Sequence, residues 1–574
     1  MNKFFTYTAP AVTLLLSWVL ASCINDLHVE PIDPSQKTEI EAYQLFNKCY
    51  SAFGTSGNNG GDDNVDIDDI DGGTSSLFRQ MWNSNELTTD EAICGWGDEG
   101  IGPFCFNTYD ASHPMLKGYY YRLCASIAYC NQYLKDFSNA DATMSAEVRF
   151  LRALEYYLLS DAFCNVPFTT VISSDKPDQL ARKDVMAFVE KELLAIAGED
   201  PNDNSMLLNE PSPKVYGQAG YGRVDKAAAW MLLSRLYLNW QVYTGTARWQ
   251  DAKTYAEKVI NSSYRLNTEP SVKQVAKKDA EGNPMVDEDG FPITETWKFS
   301  AYQLLFMGDN GTNGASKEAI FPIIQKGQRT TAWGVAQYLI ASTFDADMHA
   351  SPYDANAVNG LSSQAWGGNR ARPELVKRFI NSNDIPEMTN YQMTAYAGDD
   401  RAIFYSRGRT LDNVEVGQFT FGFGIAKFVN FTTDGSPTSD AAGTFSDMDV
   451  FFLRVAEAYL NYAEAEIRLN GVTPDALNKV NALRRRANAR EFTTATLTLD
   501  ELLNEWSREF YFEGRRRVDL IRFNKFGGNT GYNWTWKGGV KAGRNFEAYR
   551  NVFAIPADDL IANKKLVQND GYGR

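Results

Sequence analysis

The chain has 574 residues and a formal net charge of −16. That charge speaks against a nucleic-acid partner, because a phosphate backbone is held by a basic footprint. Hydrophobic residues make up 44% and charged residues 22%, ample for a packed core. Aromatics reach 13%, which asks for either an aromatic-rich core or a surface that meets flat, partly apolar faces. His28, His113 and His349 lie too far apart in the chain to suggest a His-built zinc site or a His-based triad.

Residues 1–22 read as an export signal. Lys3 supplies the positive start, and Ala9 to Leu20 form an apolar stretch too short to span a bilayer. The segment ends Leu20-Ala21-Ser22-Cys23, which resembles a bacterial lipobox and makes Cys23 the expected lipidation site. Several acyl chains on one residue anchor stably where a single chain does not. No later apolar run has spanning length, so membrane attachment is expected through the lipid alone, with residues 23–574 as one domain. Six cysteines remain after Cys23. An even number permits disulfides in an exported protein, but six are too few for a disulfide scaffold, and no CxxC occurs. Cys124 and Cys130 fall in a helical pattern and read as small buried hydrophobes.

Apolar residues at three-and-four spacing predict helices over 38–53, 116–137 and 145–163. Val224–Tyr243 and Trp249–Ser262, with small Ala at the close-contact points and Gly245 in the short loop between them, read as a tetratricopeptide-like pair. A second pair is expected at 450–470 and 474–489. A last helix is expected from Leu499 to Gly514, capped by Asp500 and ended by Gly514. Such pairs bury a core only by stacking on neighbours. The fold class is therefore mostly α, a helical-repeat scaffold with one face built from the irregular stretches 54–115, 264–372, 382–449 and 524–574. Loops of that length usually carry function. The turn signals Asn283-Pro284 and Asp289-Gly290 make 277–296 a hairpin-like excursion.

Searches for chemistry return little. There is no GxxxxGK[ST], GxSxG or HExxH. The acidic run 62–71 misses the EF-hand register and reads as a solvated loop. A carboxylate pair for glycoside hydrolysis stays open, since its defining property is a spatial separation.

Several long motifs then resemble one family. Glu509 to Phe523 (EFYFEGRRRVDLIRF) is similar to the C-terminal signature of the SusD/RagB outer-membrane lipoproteins. Phe452–Glu466, Ala146–Leu154, Gly222–Leu238, Asn85–Asp90 and Ala397–Arg401 add to the likeness, which runs over nearly the whole chain. The resemblance implies a non-enzymatic protein that needs no cofactor. It would be lipid-anchored at the cell surface, bind glycan oligosaccharides and hand them to a SusC-like TonB-dependent transporter. The Arg515–Arg517 run itself reads as scaffold, pairing with helix acids such as Glu457, Glu464 and Glu466.

A glucan has apolar C–H faces and hydroxyl edges, so its site needs flat rings and a few planar hydrogen-bonders. Trp82, Trp96, Trp333, Trp366, Trp534 and Trp536 fall in the irregular stretches, whereas Trp230, Trp240 and Trp506 lie on helices and read as core. The resemblance to the starch-binding member of the family selects Trp96, Trp333 and Trp366 as an aromatic arc suited to a curved α-glucan. It implies Arg79 and Asp71 as hydrogen-bonders. Two departures stand beside the arc, Cys94 where that member has a tryptophan and Glu99 where it has an asparagine. By the same analogy, Asp309 with Asp447 and Asp449 is a loosely aligned candidate for structural calcium. A different cargo on the same fold, such as a fructan, a host glycan or a peptide, stays open, as does a surface glycoside hydrolase.

Overall fold

The computed structural model describes residues 40–57, 65–68, 70–277, 279, 283–348 and 362–573. The expected signal segment, Cys23 and His349 lie outside them. Twelve helices carry the argument: α1 Ala42–Ser51, α2 Leu77–Glu86, α3 Pro114–Phe137, α4 Ala142–Phe163, α5 Arg182–Ile196, α6 Lys226–Leu238, α7 Trp249–Ile260, α8 Ala336–Thr343, α9 Ala456–Asn470, α10 Pro474–Arg486, α11 Leu499–Phe510 and α12 Arg516–Arg522. Helices α3 to α7, then α9 and α10, pack each on the next as a continuous array. Helix α11 lies on α9, and α12 runs from α11 back to α2. Ala227, Ala228 and Ala229 on α6 and Ala252 and Ala256 on α7 are fully buried, so the two backbones approach closely. The Ser234 hydroxyl donates to the Ala252 carbonyl at 2.8 Å across that contact.

The differences from the sequence reading have physical causes. Residues 450–454 are a strand, not the first turn of a helix, because they complete a sheet with a partner more than a hundred residues upstream. Helix α11 is capped by Thr498, whose hydroxyl accepts from Glu501 N–H, and not by Asp500. It ends at Phe510, before Gly514. Helices α2, α5, α8 and α12 are additional to those expected. The core face of α2 is built from Gln80, Asn83, Ser84 and Asn85 as well as apolar residues, so its sequence shows no apolar stripe. The acidic loop is not solvated at Asp66, which pairs with Lys48 at 2.6 Å and Arg122 at 2.7 Å.

The irregular stretches hold short antiparallel pairs: β1 Ala92–Cys94, β2 Ser271–Ala276, β3 Thr294–Phe299, β4 Ala319–Ile323, β5 Asn369–Ala371 and β6 Val450–Arg454. Strand β1 pairs with β5, β2 with β3 and β4 with β6. The β2–β3 pair flanks the expected 277–296 excursion. The 382–449 stretch adds the two-residue pair Phe404–Tyr405 and Gly424–Ile425.

The C-terminal signature is scaffold. Glu509, fully buried, meets Arg454 at 2.6 Å, Arg401 at 3.3 Å and also Arg486. Glu505 meets Arg401 and Arg484 at 2.7 Å and Arg508 at 2.8 Å. Of the Arg515–Arg517 run, Arg515 reaches Glu457 at 3.4 Å, and Arg516 meets Asp90 at 2.8 Å. Glu464 takes Arg522 and Arg468 instead, and Glu466 takes Lys253. Burial alone would raise the Glu509 and Glu505 carboxyls. The surrounding guanidinium charges outweigh it and hold both at about 2.

Because these folded values lie below the ordinary glutamate value of about 4.3, the stability they contribute is present above that pH. It is lost as pH falls toward 2. Acid unfolding followed by far-ultraviolet circular dichroism is expected to steepen in that window. Glu509→Gln, which leaves three buried guanidiniums short of a carboxylate, is expected to cost roughly 3–5 kcal/mol in urea unfolding at neutral pH.

Candidate functional site

The site grows from the β1–β5 pair. Cys94 pairs with Asn369 at its end, and Gly95 N–H then donates to the Gly368 carbonyl at 3.1 Å. Both chains leave the pair carrying a tryptophan, Trp96 on one and Trp366 on the other. The Trp366–Gly368 backbone is sewn to α8 and the residue after it by Trp366 N–H to Ala341 O at 2.7 Å, Gly367 N–H to Phe344 O at 2.9 Å and Gly368 N–H to Ser342 O at 2.9 Å. Gly368 has a direct role. A Cβ there would lie 2.2 Å from the Trp96 ring, so the indole rests on bare backbone.

Three half-buried indoles result, in one row. The Trp96 and Trp366 centroids are 6.1 Å apart with planes at 57°, and Trp366 and Trp333 are 5.9 Å apart at 43°. The Trp96 indole N–H donates to the Trp366 carbonyl at 3.2 Å, and the Trp366 indole N–H to Gln364 Oε1 at 3.2 Å. Adjacent planes are therefore tilted against one another and not coplanar. Phe445 closes it, 4.6 Å from Trp333.

Polar groups flank the row. The Arg79 guanidinium on α2 lies over Tyr338 at 5.0 Å and over Trp96 at 6.0 Å, with no hydrogen-bond partner for its buried Nε among the described residues. Asp71 is exposed and caps a short helical turn by accepting from Thr74 N–H at 2.9 Å. Burial works to raise its carboxyl, and the Thr74 donors with the Arg79 charge outweigh it, leaving it below the usual range. Arg370 holds the neighbouring loop by donating to the carbonyls of Phe421 at 2.7 Å, Val416 at 2.7 Å and Glu415 at 3.2 Å. Burial lowers it to about 10.

The other sequence-selected residues divide. Trp82 and Trp534 are core, not surface rings: Trp82 is fully buried on α2 with its indole N–H donating to Phe512 O at 2.7 Å. Trp536 is half-buried and donates to Asn413 O at 2.8 Å. Trp506 and Trp240 are buried, and Trp230 is half-buried against Glu199. Cys94 faces inward, its N–H donating to Cys105 Sγ at 3.4 Å, so it offers a ligand neither ring nor amide. Glu99 is exposed. Cys130 is fully buried as expected, and Cys124 is half-buried.

The carboxylates suggested for calcium border one small cavity. Asp309 accepts from Thr433 N–H at 2.9 Å and its hydroxyl at 2.7 Å, and Asp449 accepts from Tyr221 OH at 2.5 Å and Gln325 N–H at 2.7 Å. Burial pushes Asp449 up to about 7. Among the described residues no three acidic, His or Cys side chains group closely enough to hold a metal ion.

The family model described as the SusD family matches residues 317–572. The starch-binding protein SusD of Bacteroides thetaiotaomicron is 35% identical, with 98% of each chain covered. The chain belongs to the SusD family. Solved structures share the fold. A surface glycan-binding protein A from Bacteroides uniformis aligns with a TM-score of 0.62 at 20% identity, covering 92% of this chain and 98% of its own. Its counterpart from Bacteroides thetaiotaomicron, solved with laminarihexaose, gives 0.62 at 18% identity over 92% and 98%.

Sequence reasoning missed Gly368, Tyr338 and Phe445. The Trp366-Gly367-Gly368 run was the one available signal, since glycine beside an aromatic marks a close backbone approach. Gly368→Ala is expected to displace the Trp96 ring, changing the near-ultraviolet dichroism and costing about 1–3 kcal/mol in urea unfolding.

Proposed function

We propose that this SusD-family protein binds starch or related α-glucan oligosaccharides along the Trp96–Trp366–Trp333 row and delivers them to a SusC-like TonB-dependent outer-membrane transporter. The observation that carries the reading is the row of three neighbouring, half-buried indoles with mutually tilted planes. Rings tilted against one another suit the turning sugar faces of a helically curved α-glucan better than a flat β-glucan ribbon. The 35% identical relative is a starch-binding protein, which supports the same cargo. Each stacked sugar that buries about 80 Å² of apolar surface gains about 2 kcal/mol before ordering costs. Such a sum gives modest affinity, suited to a ligand that must be passed on. Arg79 and Asp71 at the Trp96 end supply a donor fork and an acceptor for hydroxyl edges.

Attachment fits the same role. No helix among the described residues is long and apolar enough to cross a membrane, and a lipidated Cys23 would hold the protein at the outer face of the outer membrane. A second reading keeps the fold and the transporter and changes the glycan. It is favoured by the inward-facing Cys94 and the exposed carboxylate of Glu99, which replace the ring and the planar amide that the resemblance places there.

Isothermal titration of the protein lacking residues 1–23 against maltoheptaose, a cyclic α-glucan, laminarin and levan decides between them. Heat with the α-glucans alone, stronger for the cyclic form, is expected. Heat with laminarin or levan alone overturns the starch assignment in favour of the second reading. Trp96→Ala, Trp333→Ala and Trp366→Ala are each expected to weaken α-glucan binding by at least about tenfold, ~1.4 kcal/mol, with the far-ultraviolet melting curve unchanged.

A further inference from the structure

At the Trp333 end of the row one short segment, Ser439–Asp447, meets the turn that leads to the ring and, through Phe445, the ring itself. The Asp447 carboxylate closes it into a loop by accepting from Ser439 N–H at 2.8 Å and from the Ser439 hydroxyl. The same carboxylate takes Lys326 Nζ at 2.7 Å and Gly327 N–H at 2.8 Å, the first residues of the turn that leads to Trp333. Gln328 N–H adds a bond to Ser439 Oγ at 3.3 Å. A Cβ on Gly327 would lie 2.6 Å from the Phe445 carbonyl, so the two loops run in backbone contact.

The middle of the segment faces the rings. Asp440 accepts from Thr444 N–H and Phe445 N–H, both at 2.9 Å, which folds the loop so that Phe445 meets Trp333 at 4.6 Å. The Gly443 carbonyl accepts from Ser363 N–H at 2.7 Å and the Ser362 hydroxyl at 3.1 Å, a few residues before Trp366. Asn430 Oδ1, accepting from Asp447 N–H at 2.8 Å, fastens the segment to the scaffold.

We propose that Ser439–Asp447 is the positioning element of the ring row, with Asp447 anchoring the Trp333 loop, Gly443 the Trp366 segment and Phe445 fixing the Trp333 plane. The inference rests on the glycan-binding reading of the row and adds what sets its curvature. Asp447 is a positioning residue, with its oxygens engaged by protein donors. A half-buried tryptophan on a loop otherwise pays an ordering cost on binding, and a preset ring does not. The joint is charge-assisted: burial acts to raise the Asp447 carboxyl, and the Lys326, Ser439 and Gly327 donors outweigh it.

Asp447→Asn, Asp447→Glu, Ser439→Ala and Phe445→Leu test this by three readouts. Near-ultraviolet dichroism reports the coupled indoles without any glycan, and the Asp447→Asn spectrum is expected to move to that of Trp333→Phe. Titration with maltoheptaose is expected to show affinity reduced about tenfold, with partial recovery in Asp447→Glu. The far-ultraviolet melting curve is expected to change little. If Asp447→Asn does not fold, Ser439→Ala and Phe445→Leu, each removing one contact, carry the same comparison. A wild-type near-ultraviolet spectrum and affinity in the folded variants would overturn the proposal. Should the wild type bind no α-glucan, the starch assignment falls, while the spectral comparison still decides whether this segment sets Trp333.

Discussion

Asp90 is the joint on which the site hangs. Its carboxylate is fully buried, with Arg516 at 2.8 Å, Arg378 close by and the Tyr532 hydroxyl at 2.6 Å. Burial would raise it, and the two guanidinium charges hold it well below the usual carboxylate range. Removing one member of such a cluster strands the others in the interior, which is why it resists opening. Strand β1 starts two residues later and delivers Trp96 soon after. Arg372, across the strand pair, ties down the same stretch by donating to the carbonyls of Ala92 at 2.8 Å, Cys105 at 2.9 Å and Leu87 at 3.3 Å. The first ring is therefore referenced to the C-terminal signature through buried charge, although more than four hundred residues separate Asp90 from Arg516.

Away from that joint the site uses lighter means. Trp96 rests on the Gly368 backbone, Trp366 is hydrogen-bonded into the end of α8, and Trp333 depends on the Asp447 knot and Phe445. The gradient runs from a fully buried ion-pair cluster to half-buried loops held mainly by hydrogen bonds, with Lys326–Asp447 an ion pair at the Trp333 end. It matches what a binding face needs, a rigid origin and rings whose spacing is set locally. The signature arginines, for all their charge, serve the scaffold.

Legibility followed the same gradient. Helices α3, α4, α6, α7, α9 and α10 were readable because each buries an apolar or alanine-rich stripe. Helix α2 was not, because Gln80, Asn83 and Asn85 are buried on it, and Gln80 and Asn83 are satisfied by hydrogen bonds instead of apolar contact. Residues 450–454 misled because an apolar run suits strand and helix alike, and only pairing with β4 decides. Trp82 and Trp534 misled because loop-like sequence around an indole says nothing of its burial.

By itself the sequence determined the mostly helical array and the scaffold role of the Glu509–Phe523 signature, because periodicity and long motifs are local properties of the chain. Tertiary structure alone decided that Trp96, Trp366 and Trp333 are neighbours, that Cys94 turns inward and which donors the Asp447 carboxylate meets. Each of these depends on contacts between segments far apart in sequence, such as Gly95 with Gly368, Cys94 with Cys105 and Gly327 with Asp447, and spacing along one chain carries no record of such meetings.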